Sequence, residues 1–225
     1  MINKLLFFLI LLPGVFFGQQ YFRVSADYTV KKKNQDSTFQ LSKGKVYYDD
    51  VVGKLTYIGR FPERETYVMQ DTNMYQFSGE KFIGRSASGV MPRTTVFALI
   101  LNQSINNYGL ENSNYELSEV EEDKGMTIST WIPPKEFRKH LGKIVIANKT
   151  NQLFGVVFFN GEGRMLSKQF YEEYYNIDGI DFPTKITQFF YTETAEFYQV
   201  TTYKNIIVDE KDNDNLYDYP IEQYK

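Results

Sequence analysis

Short runs in which apolar and polar residues alternate, separated by turn residues, occupy most of the chain after residue 18. The first five runs are rich in aromatic and β-branched residues, which favour extended strands. A spacing of about ten residues per run is typical of an antiparallel meander, sandwich or barrel. We predict strands at Phe22–Val30, Phe39–Tyr48, Lys54–Phe61, Thr66–Gln70 and Met74–Phe77.

A different pattern follows the fifth run. Pro92 ends a loop rich in small residues, and Thr94 or Thr95 can cap a helix. The run Val96–Leu101 is entirely apolar, so this helix must be covered on several sides. We therefore predict the main helix of the chain between Thr94 and Asn107.

Extended runs resume after the helix and continue almost to the end of the chain. They are Tyr115–Val120, Met126–Ile132, Lys143–Ala147, Leu153–Phe159, Met165–Tyr175, Thr184–Tyr191 and Glu196–Val208. The whole pattern predicts a mainly β chain: a single strongly curved antiparallel sheet of roughly ten or eleven strands with a helical insertion. Residues 209–225 are acidic with scattered tyrosines, and we expect this tail to be only partly ordered.

The N-terminus has the three parts of a secretory signal. Lys4 supplies a positive charge, Leu5–Phe17 is an almost unbroken apolar run, and Gly18 can precede the cleavage site. The apolar run is shorter than the ~20 residues needed to cross a bilayer. We expect residues 1–18 to be removed, leaving a mature chain with no integral membrane segment. A membrane anchor retained at the N-terminus is the alternative.

The composition removes most catalytic and nucleic-acid-binding functions. The chain has no cysteine, one histidine and a formal net charge of −3, which does not suit a nucleic-acid partner. His140 lies beside basic residues without an evident orienting partner, so we assign no catalytic residue. The single imidazole and the scattered carboxylates of the chain make a poor set of metal ligands, and we predict no metal or other cofactor. The 18 tyrosines and 19 phenylalanines can supply a large core.

Several local sequences, taken in order, resemble those of a known family. They include a glycine-led strand, a Phe-Pro-Glu turn, an Asp-Thr-Asn turn and two aromatic segments near the end. The segments that carry the resemblance are Gly44–Tyr48, Leu55–Tyr57, Phe61–Glu63, Asp71–Phe77, Leu153–Phe159 and Asp178–Pro183. Between about Val24 and Val208 the chain thus resembles the periplasmic carrier of outer-membrane lipoproteins, the LolA type, and its LolB-like relatives.

The resemblance implies an incomplete (half) β-barrel formed by residues 19–208, with a helical lid over its concave side. Acyl chains would lie in this trough, where each buried CH₂ contributes ~0.8 kcal/mol. Matching to the family and strand alternation suggest the trough residues on the sheet, and the helix supplies the lid residues. The implied ligand-binding residues are Leu55, Tyr57, Tyr67, Met69, Tyr75, Phe77, Val96, Phe97, Ile100 and Leu101.

The implied function is that of a soluble, non-enzymatic periplasmic carrier, a chaperone for acylated cargo. It would bind acyl chains of lipoproteins or other lipids for transport to the outer membrane, with membrane-bound donor and acceptor proteins as further partners. The alternative is a cell-envelope scaffold that uses the same half-barrel as an interaction surface without lipid transport. In that case the apolar residues named above are ordinary core residues.

Overall fold

The computed structural model describes residues 22–34, 36–193 and 195–225. The predicted signal peptide lies outside the described residues. The described residues form 13 antiparallel strands in one sheet. The strands are β1 (Arg23–Lys33), β2 (Phe39–Asp49), β3 (Lys54–Phe61), β4 (Glu65–Gln70), β5 (Asn73–Ser78), β6 (Lys81–Ala87), β7 (Glu116–Asp123), β8 (Met126–Ile132), β9 (Leu141–Lys149), β10 (Gln152–Asn160), β11 (Met165–Ile177), β12 (Ile180–Tyr191) and β13 (Glu196–Val208).

The order of strands is β6-β5-β4-β3-β2-β1-β13-β12-β11-β10-β9-β8-β7. Every neighbouring pair except β1–β13 is consecutive in the chain, so the sheet consists of two series of hairpins joined in the middle. Its edges, β6 and β7, are not paired with each other, and the sheet is therefore open. The segment between them contains 3₁₀ turns at Pro92–Thr94, Ile105–Asn107 and Leu110–Asn112, and the helix α1 (Val96–Leu101).

The sheet curls around α1. All 6 residues of α1 are buried, and one core cluster joins all of them except Leu99 to Leu55 on β3 and Ile144 on β9. Seven strand-to-strand steps separate β3 from β9, about 34 Å in a flat sheet. A single cluster therefore requires strong curvature, with α1 on the concave face. The predicted fold class, an incomplete barrel of one antiparallel sheet with a helical insertion, is confirmed.

The main differences from the predicted elements are at the sheet edges and the helix start. Strand β6 is absent from the predicted elements; it is a short edge strand that mixes Phe82 and Ile83 with polar residues, and 5 of its 7 residues are exposed. Thr95 directly precedes α1 as predicted, but its hydroxyl donates to the Pro92 carbonyl (2.7 Å) instead of capping the helix. The helix predicted between Thr94 and Asn107 is thus shorter: it spans Val96–Leu101, and Ile105–Asn107 forms a separate 3₁₀ turn.

Residues 209–225, here called the C-terminal clasp, pack on the convex face. The clasp contains the helical turn α2 (Asp214–Tyr217). Tyr217 is completely buried, and its ring meets the Tyr47 ring edge-on at 5.2 Å. Ile221 is also completely buried and belongs to a second core cluster with Val68. These contacts differ from the partly ordered tail that the acidic composition suggested.

Charged pairs fasten the clasp to the sheet. The Lys54 side chain is only 3% exposed, and its ammonium pairs with Asp218 of the clasp. Arg23 bridges the sheet and the clasp, at 2.9 Å from Asp49 and 2.6 Å from Asp214. A buried ammonium without a partner is costly, so the position of Lys54 depends on the clasp.

Candidate functional site

A cavity of about 530 Å³ lies on the concave face beside α1. This volume is in the range of pockets that hold small ligands. The cavity is bordered by strands from both halves of the sheet and by the segment around α1. The lining residues are Tyr28, Val30, Tyr57, Tyr67, Met69, Met74, Gly89, Val90, Thr94, Thr95, Val96, Phe97, Tyr108, Gln169, Tyr171, Ile186, Gln188, Gln199, Thr201 and Tyr203.

The aliphatic, methionine and phenylalanine residues of the lining are here called the apolar wall: Val30, Met69, Met74, Val96, Phe97 and Ile186. Phe97 anchors this wall in the core. Its ring lies 5.2 Å from the Tyr203 ring and 5.9 Å from the Phe182 ring. Methionine side chains adapt to ligands of different shape, so the wall suits flexible hydrocarbon.

Tyrosines make the largest group of lining residues, namely Tyr28, Tyr57, Tyr67, Tyr108, Tyr171 and Tyr203. The Tyr67 hydroxyl donates to Glu65, and this hydrogen bond raises the pKa of Tyr67 to about 12. Burial raises the pKa of each of the other five. The hydroxyls therefore remain neutral, protonated groups at physiological pH.

The raised tyrosine pKa values predict an alkaline limit to stability. A pKa raised by folding leaves stability intact below the ordinary tyrosine pKa of about 10 and lowers it as pH rises towards the folded value. We expect the cavity tyrosines to ionise only together with unfolding. Tyrosinate absorbance and far-ultraviolet circular dichroism, followed against pH on one sample, check this. Full ionisation of all tyrosines near pH 10 with unchanged secondary structure would contradict it.

The glutamine row, formed by Gln169, Gln188 and Gln199, adjoins the apolar wall, because Gln188 lies two residues after Ile186 on β12. These residues occupy paired positions on β11, β12 and β13 and lie side by side on the concave face. Gln199 donates from Nε2 to Oε1 of Gln188 (2.8 Å), and the Tyr171 hydroxyl donates to Oε1 of Gln169 (2.7 Å). No charged side chain is among the described residues that line the cavity. The site thus combines hydrocarbon with uncharged polar groups.

The structure brings half of the predicted ligand-binding residues into this cavity: Tyr57, Tyr67, Met69, Val96 and Phe97. Leu55, Ile100 and Leu101 belong to the main core cluster and do not line the cavity. Contact of any of these residues with a ligand stays a prediction.

The expected concave position of Tyr75 and Phe77 is wrong. Tyr75 pairs with Val68 and Phe77 pairs with Thr66, whereas Met69 pairs with Met74. Because directly paired residues share a face, Tyr75 and Phe77 lie opposite the cavity. There they form the second core cluster with Ile221. The prediction assumed that odd-numbered residues face inward on both β4 and β5. With the two-residue turn between the strands, odd-numbered residues of β4 pair with even-numbered residues of β5, so the inward positions on β5 are the even-numbered ones.

The predicted site includes none of the cavity-lining residues on β12 and β13. Both strands are among the predicted elements, but the prediction does not say which of their side chains face inward. The alternating residues Ile186 and Gln188 on β12, and Gln199, Thr201 and Tyr203 on β13, all line the cavity. Strand alternation could have identified these residues once one inward position on each strand was known.

Hydrogen bonds hold the helical segment against the β2–β3 turn. The Asp50 carboxylate accepts from the Tyr48 hydroxyl at 2.6 Å and from Nδ2 of Asn102 at 3.2 Å. Asn102 directly follows α1. Since α1 is also buried on all sides, the helix is a part of the core that borders the cavity.

The described residues contain no group of three or more His, Asp or Glu side chains that could hold a metal ion. His140, the sole histidine, is exposed in a turn after a 3₁₀ segment and lies outside the cavity. None of the described residues belongs to a helix that is long and apolar enough to span a membrane.

No protein-family model matches the sequence, and no curated protein matches it. Solved structures share its fold. A LolA superfamily protein from Nitrosomonas europaea is 15% identical with a TM-score of 0.60, over 87% of this chain and 90% of that chain. A DUF1329 family protein from Desulfovibrio piger is 14% identical with a TM-score of 0.63, over 89% of this chain and 91% of that one.

A third structure, described as a putative outer membrane lipoprotein-sorting protein domain from Vibrio parahaemolyticus, is 12% identical. Its TM-score is 0.61, over 86% of this chain and 88% of that chain. At such identities the likeness concerns the fold. The chain has the fold of LolA superfamily proteins, and the resemblance inferred from the sequence is confirmed at that level.

Proposed function

We propose that this chain, with its LolA-like fold, is an exported carrier that binds acyl chains in the concave cavity. The observation that supports this most strongly is the cavity itself, in which Met69, Met74 and Phe97 provide an apolar wall without charged neighbours. Each CH₂ moved from water to such a wall contributes ~0.8 kcal/mol. A carrier of this kind needs no catalytic residue.

The cargo we propose is a lipoprotein or another acylated molecule on its way to the outer membrane. The similarity to the Vibrio parahaemolyticus domain supports this choice, because that domain is described as one that sorts outer-membrane lipoproteins. The predicted signal peptide supports a periplasmic location. Membrane-bound proteins that deliver and accept the cargo would then be its partners.

A scaffold without lipid cargo is the second candidate, and the buried helix α1 favours it. All 6 residues of α1 are buried on the concave side, and all of them except Leu99 belong to the main core cluster. An interior filled by its own side chains leaves less room for an acyl chain. Such a scaffold would bind a protein partner in the cell envelope and carry no lipid.

Filling the cavity tests the carrier proposal. Val30 lines the cavity, whereas Thr29, one residue earlier on β1, faces the opposite side. Val30→Trp should displace at least two methylenes of ligand and weaken binding of a fluorescent fatty-acyl probe roughly tenfold or more. Thr29→Trp is the matched control and should bind like the wild-type protein. Unchanged probe affinity in a folded Val30→Trp variant would contradict an acyl site here.

A further inference from the structure

The glutamine row supplies the cavity with uncharged hydrogen-bonding groups, which the hydrocarbon of an acyl chain does not use. We propose that Gln169, Gln188 and Gln199 bind the uncharged ester or amide linkage of an acylated ligand, while its chains lie against the apolar wall. This inference rests on the proposed acyl-binding function and names the polar part of the ligand. It adds the glutamine row to the binding site as a subsite for carbonyl groups.

The row offers hydrogen-bond donors that the protein leaves unused. A primary amide carries two N–H donors and one carbonyl acceptor. The Gln169 carbonyl accepts from the Tyr171 hydroxyl, and the Gln188 carbonyl accepts from Gln199. Within the described part of the chain, the amide N–H groups of Gln169 and Gln188 donate to no protein acceptor. A ligand that presents carbonyl oxygens would satisfy them.

The absence of charge along the described lining limits the class of ligand. On the neighbouring strand β1, the residue beside the glutamine row is Lys32, which pairs with Gln199. Its ammonium lies 5.5 Å from the centre of the Phe197 ring and is not among the groups that line the cavity. Among the described lining residues no cation is present to compensate a phosphate or carboxylate, whose burial without a partner is very costly. Ester and amide carbonyls accept hydrogen bonds without carrying charge.

The order of residues along β13 fits a ligand that enters chain first. Tyr203 and Thr201 are buried, Gln199 is half-buried, and Phe197 follows towards the start of the strand. Phe197 stacks on Phe190 of β12, with ring centres 5.2 Å apart. The glutamine row therefore lies between a deep aromatic floor and an aromatic pair nearer the strand ends. Acyl chains can occupy the depth while their linkage stays at the row.

Two fluorescent probes of equal chain length test the subsite: a diacylglycerol, which has two ester carbonyls, and a hydrocarbon without esters. Losing one hydrogen bond should weaken diacylglycerol binding roughly five- to tenfold in Gln188→Leu. Gln188→Glu removes the N–H donors, adds charge and should weaken it at least as much. Both variants should bind the hydrocarbon probe like the wild-type protein. Thr187→Leu, on the opposite face of β12, is the matched control.

The outcomes separate this inference from the proposed function. If the wild-type protein binds both probes and the two Gln188 variants change the affinity for both probes equally, the subsite is overturned and the acyl site stands. Wild-type protein that binds neither probe would overturn both proposals. Circular dichroism shows whether each variant is folded. If Gln188→Leu does not fold, Gln188→Glu alone tests the subsite.

The same linkage occurs in free glycerolipids and in diacylglyceryl-modified proteins. A diacylglyceryl-modified peptide, used as a third probe, distinguishes these sources. Tighter binding of the peptide than of diacylglycerol would support the subsite with a lipoprotein as ligand. Tighter binding of diacylglycerol would support it with a free lipid, provided that the Gln188 variants lose affinity for the tighter probe.

Discussion

Replacing Ile100 with Glu is expected to lower the free energy of unfolding of the whole protein strongly. Ile100 is 6% exposed in the main core cluster and lies near the end of the fully buried helix α1. A carboxylate there has no cationic partner in its cluster and is expected to cost about 4 kcal/mol or more. That is a large part of the stability of an ordinary domain. Chemical denaturation followed by circular dichroism measures the loss.

Gln103→Glu is the matched control, because Gln103 follows α1 and is exposed. We expect its unfolding free energy to stay close to that of the wild-type protein. An Ile100→Glu variant that is as stable as the wild-type protein would contradict a core position for α1. If Ile100→Glu unfolds as cooperatively as the wild-type protein but no longer binds an acyl probe, the helix is a mobile lid over the cavity.

The second large effect is expected on the convex face, on the other side of the sheet from the cavity. Ile221 of the C-terminal clasp is completely buried against Val68, Tyr75 and Phe77. Ile221→Ala removes buried hydrocarbon and leaves a cavity, at a cost of about 2–5 kcal/mol. Loosening the clasp also separates the buried ammonium of Lys54 from its partners in the clasp, the Asp218 carboxylate and the Tyr219 carbonyl. The midpoint of chemical denaturation should therefore fall clearly.

Gln223→Ala changes a neighbouring but exposed residue of the clasp and serves as the control. It should leave the denaturation midpoint nearly unchanged. Equal, small effects of both substitutions would show that the clasp contributes little to stability. In that case the acidic tail would behave as the composition of residues 209–225 suggested.

The parts of the fold that the sequence predicts well are those with local signals. The predicted strands at Lys54–Phe61, Met126–Ile132 and Glu196–Val208 have the bounds that the structure has. Each has aromatic or β-branched residues and a turn signal at one or both ends. The apolar run that forms α1 is recognisable because no strand alternation explains six consecutive apolar residues.

The parts that the sequence does not predict depend on contacts between distant segments. The face of Tyr75 follows from its pairing with Val68, which a run of residues on one strand cannot reveal. The burial of Ile221 depends on a surface formed by β4 and β5, about 150 residues earlier in the chain. The glutamine row likewise forms only when β11, β12 and β13 are aligned in register.

Native mass spectrometry of the intact protein, purified gently from its own host, tests the acyl-carrier proposal most directly. We expect the wild-type protein and Thr29→Trp to carry an adduct that yields an acyl-chain lipid or lipopeptide on dissociation. Val30→Trp, with its cavity filled, should lack that adduct. A wild-type protein without any lipid adduct, bound instead to a stable protein partner, would contradict the carrier and identify a scaffold.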